Sequence, residues 1–165
     1  MYFENNIIIF YKIIIIYMVD KPFEVDNLLF ALDDETNHSI LNLTSKKIAE
    51  MKDNILSDIG ITDEIKNEFI SKLQNYIYMD EIPDIKVGSF IRWIPLSNPD
   101  KIILTRGGNI CDINITDKGT SIVVKNYFGK GMQVSMDKAL IFRKLNDDEL
   151  ILLSAMNYLQ TDHQV

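Results

Sequence analysis

Two hydrophobic periodicities divide the chain. Between Thr44 and Ile77 apolar residues recur at every third or fourth position, whereas between Val87 and Lys144 they fall in short runs that alternate with polar residues and are punctuated by glycine. The first spacing lines one side of a helix, and the second lines one face of a strand. Thr44 or Ser45 is placed to cap a helix with Ile48, Met51, Ile55, Leu56 and Ile59 on its apolar side. Lys47, Glu50, Asp53 and Asp58 are left for water, and Gly60 supplies the stop. Thr62 caps a second helix, with Asp63 and Glu64 in its first turn and Ile65, Phe69, Leu73, Tyr76 and Ile77 as its buried stripe. Together they predict a helical hairpin. Ahead of it, Leu28, Leu29, Phe30 and Leu32 predict a turn or two of helix, closed by a polar loop from Asp33 to Ser39.

Strands are predicted over Val87 to Pro95, Asn109 to Thr116, Thr120 to Tyr127, Gly131 to Met136 and Ala139 to Lys144, with turns at Asp117-Lys118-Gly119 and Phe128-Gly129-Lys130. Met132, Val134 and Met136 alternate cleanly, as do Cys111, Ile113 and Ile115. Ile110 breaks the second alternation, which marks either a bulge or a strand buried on both sides. Asn146 followed by Glu149 is a capping-box signal for a last helix, with Leu150, Leu153, Met156 and Tyr158 or Leu159 as its apolar face and a frayed tail from Thr161 to Val165.

The fold class expected is therefore α+β: an N-terminal helical hairpin, a small antiparallel β-barrel and a C-terminal helix. The expected organisation is an acidic helical segment over 18–82, the barrel over 83–146 and the last helix over 147–160. The first seventeen residues, MYFENNIIIFYKIIIIY, use almost only residue types encoded by A/T-rich codons, so they read as an upstream extension with Met18 as the principal start. The rival reading is a hydrophobic edge strand or membrane-surface anchor. The apolar stretch is too short to span a bilayer and has no small-residue cleavage site, so neither a membrane segment nor a signal peptide is expected.

With 165 residues, 47% of them apolar, the chain affords a core without staples. One cysteine, Cys111, allows no internal disulfide and no cysteine-based zinc cluster, which suits a reducing, cytoplasmic setting. The net charge of −7 conceals an asymmetry. Residues 86–146 carry ten Lys and Arg against four Asp, a net +6, and the rest carries seven Lys against twenty Asp and Glu, a net −13. The two parts are not expected to seek the same partners.

Gly88-Ser89-Phe90-Ile91-Arg92-Trp93-Ile94, followed by a long loop and by Gly107-Gly108-Asn109-Ile110-Cys111-Asp112-Ile113, resembles the opening of SH3-like barrels of the KOW and Tudor kind. Two hairpins follow, and Met136-Asp137-Lys138-Ala139 is similar to the 3₁₀ turn that such barrels place before their last strand. The resemblance covers residues 86–145 and implies a barrel and a binding role. The loop Leu96 to Arg106 is longer than the family pattern, and Ile102, Ile103 and Leu104 leave room in it for an additional strand. The composition and the helix-plus-barrel order also look like proteins of large DNA viruses, for which the setting would be the host cytoplasm or the virion.

Catalysis finds no motif. Gly129-Lys130-Gly131 and Gly107-Gly108 lack the spacing of a nucleotide loop and read as hairpin turns. His38 and His163 read as solvated, Cys111 as a small core residue, and the acidic runs as a loop and a helix start. No enzyme, cofactor or metal is expected. The binding reading rests on basic residues interleaved with aromatics: Arg92, Trp93, Arg106, Lys125, Tyr127, Phe128, Lys130 and Arg143. Cations release counterions from phosphates and rings stack on bases, so the expected partner is nucleic acid, or an acidic protein segment, with the hairpin binding a protein partner or a second copy. The bland alternative makes Trp93 and one of Tyr127 or Phe128 core and lets the charges face water. The rival function is a structural or assembly protein working through apolar helical faces such as Ile55, Phe69 and Tyr76.

Overall fold

The computed structural model describes Ile8 and residues 25–162, so the expected N-terminal extension, that residue apart, and the last three positions lie outside the described residues. Contacts divide the chain into two units, Glu50–Leu145 and Met1–Ala49 with Asn146–Val165. The boundary expected at residue 83 falls inside the first of these, and the division instead runs through a helix.

The larger unit holds a six-stranded antiparallel sheet. Its strands are β1 (Tyr76–Met79), β2 (Phe90–Pro95), β3 (Gly108–Thr116), β4 (Gly119–Lys125), β5 (Gly131–Ser135) and β6 (Ala139–Lys144), in the order β1-β6-β2-β3-β4-β5. A 3₁₀ turn, Met136–Lys138, precedes β6 as expected. The hydrogen-bonded order is open: among the described residues no ladder joins β5 to β1. Strand β6 lies between β1 and β2 and is buried on both faces, which is why its run Ala-Leu-Ile-Phe shows no polar alternation. Ala139 and Ile141 enter one core with Met79, Ile85, Ile91, Trp93, Ile110, Ile122, Val124 and Val134. Leu140 and Phe142 enter a second with Ile94, Leu56, Phe69 and Leu73.

The second core draws its helical members from α2 (Ser45–Ser57) and α3 (Asp63–Lys72). The expected helical hairpin is not shown. Tyr76 and Ile77, placed on the second helix by the sequence spacing, belong to β1, where Tyr76 pairs with Lys144 and Ile77 with Arg143. The helix stops at Lys72 because two cations take up the carbonyls at its end. Lys52 Nζ donates to Leu73 O at 2.7 Å and to Gln74 O at 3.4 Å, and Arg92 Nη1 donates to Lys72 O at 3.5 Å. At the other end Thr62 caps the helix, its hydroxyl accepting from Ile65 N–H, as its sequence signal predicts.

Two further differences lie in the sheet. The ladder between β3 and β4 shifts register between Ile110 and Asp112, so Ile110 does mark a bulge. The bulge leaves Cys111 exposed rather than in the core, and Ile115, further along the same alternation, is also exposed. Gly107-Gly108 is not a hairpin turn. A Cβ on Gly108 would stand 2.5 Å from Lys125 O, so glycine is there because β3 starts hard against β4. The loop from Leu96 to Gly107 contains no strand; Ile102 and Leu104 instead pack on the second core.

In the other unit, α1 (Val25–Asp33), a 3₁₀ helix (Glu35–Asn42) and α4 (Asp147–Asp162) pack together. The segment expected to be a polar loop is largely this 3₁₀ helix: Asp34 caps it by accepting from Thr36 N–H, and Asn37, fully buried, donates from Nδ2 to Ala31 O. The predicted capping box is present, with Asn146 N–H donating to Glu149 Oε2 at 2.9 Å and Glu149 N–H to Asn146 Oδ1 at 2.7 Å. Of the face expected on α4, Leu153 is buried, Leu150, Met156 and Leu159 are half-buried and Tyr158 is exposed, while Leu152 and Ala155 are buried beside Leu153. Helix α4 also runs through Asp162, past the Thr161 at which fraying was expected.

Candidate functional site

The residues expected to form a basic, aromatic surface separate into three groups. Trp93 is 7% exposed and lies in the first core, so it is packing rather than a stacking platform. Arg143 is 3% exposed and donates from Nε to Asp84 O at 3.1 Å. The alternation of β6 turns it inward, and it is not a surface cation. Both assignments to a binding face are therefore corrected.

Arg92 and Arg106 form the second group. Arg92 is half-buried, and besides its contact with the end of α3 it donates from Nε to Thr105 O at 2.8 Å. Its charge holds the long loop and the helix terminus in place. Arg106 is exposed in that loop.

Lys125, Tyr127, Phe128 and Lys130 make the third group, and they share the tip of the β4–β5 hairpin. Tyr127 is 94% exposed and Phe128 is 83% exposed. Their rings meet edge to face, with centroids 5.6 Å apart and planes at 85°. The backbone beneath them is tightly organised. Asn126 N–H donates to Lys130 O, Gly129 N–H donates to Asn126 O, and the Asn126 side chain accepts from Phe128 N–H at 3.0 Å and Lys130 N–H at 2.9 Å. Gly129 takes the left-handed φ of +75° that lets the tip close. Lys125 and Lys130 are exposed, and Lys125 to Gly131 includes no carboxylate.

The tip therefore presents two apolar rings and two ammonium groups on a fixed loop. Folding gains almost nothing from these rings, since neither is buried, and a fixed pair of exposed aromatics suits contact with another molecule. Asn126 was not among the residues singled out from the sequence. Its signal was legible in hindsight: an Asn opening a tight turn satisfies backbone donors two and four residues on, as an Asx turn does.

Among the described residues no group of His, Cys, Asp and Glu is arranged to hold a metal ion, and no helix is long and apolar enough to cross a membrane. No family model matches the chain, and neither a curated protein nor a solved structure matches it.

Proposed function

We propose that the chain is a non-enzymatic binding module whose β4–β5 tip contacts nucleic acid, the rings of Tyr127 and Phe128 stacking on bases while Lys125 and Lys130 meet phosphates. The observation that carries this reading is the near-complete exposure of two adjacent aromatics on a loop whose backbone is pinned by four hydrogen bonds. An acidic peptide would engage the lysines and leave the rings without a counterpart; nucleic acid uses both.

The same reading treats the sheet as an SH3-like barrel. Support comes from its first core, whose buried members are drawn from all six strands and from Ile85, with none from a helix. A sheet that buries one face with its own strands must curl over that face, since neighbouring strands stand about 4.8 Å apart and a flat sheet of this width would leave it uncovered. Assembly through apolar helical faces is less well supported: Phe69 is buried, Tyr76 lies on β1, and Ile55 packs on the second core.

Fluorescence anisotropy with a labelled single-stranded oligonucleotide tests the reading. With two phosphate contacts the logarithm of affinity should fall against the logarithm of salt with a slope of about −1.4. Lys130→Ala should flatten that slope by about 0.7. Joint replacement of Tyr127 and Phe128 by Ala should weaken binding by about 2 kcal/mol or more. Absence of binding at low salt would remove the nucleic-acid reading.

A further inference from the structure

The hairpin carries a second feature, one step along from the rings. Strand register puts Asn109, Lys125 and Gly131 in one cross-strand row on the outer face of β3, β4 and β5. Asp112, Val123 and Gln133 form the next row, and Asn114, Ser121 and Ser135 the one after. Gly131 is the anomaly. Its φ is not positive, and a Cβ built on it would meet nothing within 4 Å, so neither backbone conformation nor crowding calls for glycine there. Glycine weakens a strand, and at this position the sheet gains no compensating close approach of its own. What it leaves is a bare stretch of peptide across the ladder from Lys125 and just past the aromatic tip.

We infer that this bare patch is a shelf for an unpaired base, so that the site takes single-stranded rather than duplex nucleic acid. The inference rests on the nucleic-acid reading of the tip and deepens it. A planar base lies flat on peptide only where no side chain stands up from it, and only a strand whose bases are splayed out offers such a base. The rest of the face fits the same ligand. Asn109, Asn114, Ser121 and Gln133 are neutral donors and acceptors suited to base edges, and Gln133 Nε2 already donates to Ser121 Oγ at 2.6 Å. Charge sets the direction of the strand's backbone: Lys125 and Lys130 stand at the tip end, while exposed Asp112, one row in, repels phosphate. The phosphates are thus confined to the tip side, and the bases point along the sheet. Two lysines give a weak electrostatic hold, which a duplex, its base faces already stacked on one another, has no open face to supplement.

The test is a binding series on the full chain with an oligothymidylate of about 12 nucleotides, a length within the span of small single-strand-binding folds, and a hairpin duplex as competitor. Gly131→Val puts a branched side chain on the shelf while favouring the strand, so its thermal midpoint should hold or rise. Its affinity for the oligothymidylate should fall about tenfold, the scale of one lost base stack. The duplex should compete at least about tenfold less well than the single strand. Gly131→Ala, whose single added carbon has open space, should show a smaller loss in the same direction and stands in if the valine variant does not fold. Wild-type affinity in both glycine variants overturns the shelf while leaving the tip reading intact, whereas equal competition by duplex overturns the shelf together with base stacking at the tip. Failure of the wild-type chain to bind either nucleic acid removes both.

Discussion

Lys52 and Arg92 are charged side chains that folding turns toward carbonyl oxygens, and their role is to end a helix. Lys52 is only 5% exposed, and burial lowers its pKa from the ordinary lysine value. The unfolded chain therefore holds this proton more tightly than the folded one. Stability should rise with pH from the depressed folded value up to the ordinary one. Burial has the opposite consequence for Tyr76 and Tyr78, whose pKa values are raised, so that above the ordinary phenol value the unfolded chain ionises first and stability falls. Urea midpoints measured from neutral to strongly alkaline pH should pass through a maximum, and Lys52→Met should abolish the rising limb while keeping the falling one. Arg92→Ala should lower stability by about 1–2 kcal/mol, because it frees Thr105 O and Lys72 O, and should leave the salt slope of nucleic-acid binding unchanged. A flattened slope in that variant would return Arg92 to the binding surface. None of this was legible from residue type, since a basic residue on a strand reads as solvated until its partners are placed.

At the level of elements, the strands were the readable part. Glycine turns and period-two alternation located five of them to within a few residues, and the capping signals at Thr62 and Asn146 were followed by the hydrogen bonds they imply. The helical stripe overran because Tyr76 and Ile77 continue the spacing of Phe69 and Leu73, which suits a helix; their strand identity comes from β6, more than 60 residues on, with which they pair. Cys111 was misplaced for a local reason: one bulge residue turns it outward and Ile110 inward. The tip was readable as a turn, but the exposure of its rings was not, because an aromatic pair in a sheet protein is more often core. Asn126→Ala tests how far the tip's function depends on its shape. The change removes the acceptor for Phe128 and Lys130 N–H, so a stability loss of about 1–2 kcal/mol is expected, with weaker nucleic-acid binding although both rings and both lysines remain. Unaltered affinity would mean that the rings bind without being held.

Across the whole molecule, charge is segregated along the sequence, a net +6 over residues 86–146 against −13 elsewhere. Only part of that positive charge is available to a ligand, since Arg143 is buried and Arg92 is engaged with carbonyls, which is why a shallow salt dependence is predicted rather than a steep one. One aromatic, basic hairpin tip is proposed to carry the binding. It is tested most directly by following backbone amide chemical shifts of the isotope-labelled chain as a single-stranded oligonucleotide is added. The largest changes should fall on Lys125 through Gly131 and extend to Gln133; changes confined to the helices, or none at saturating oligonucleotide, would rule the tip out as the binding site.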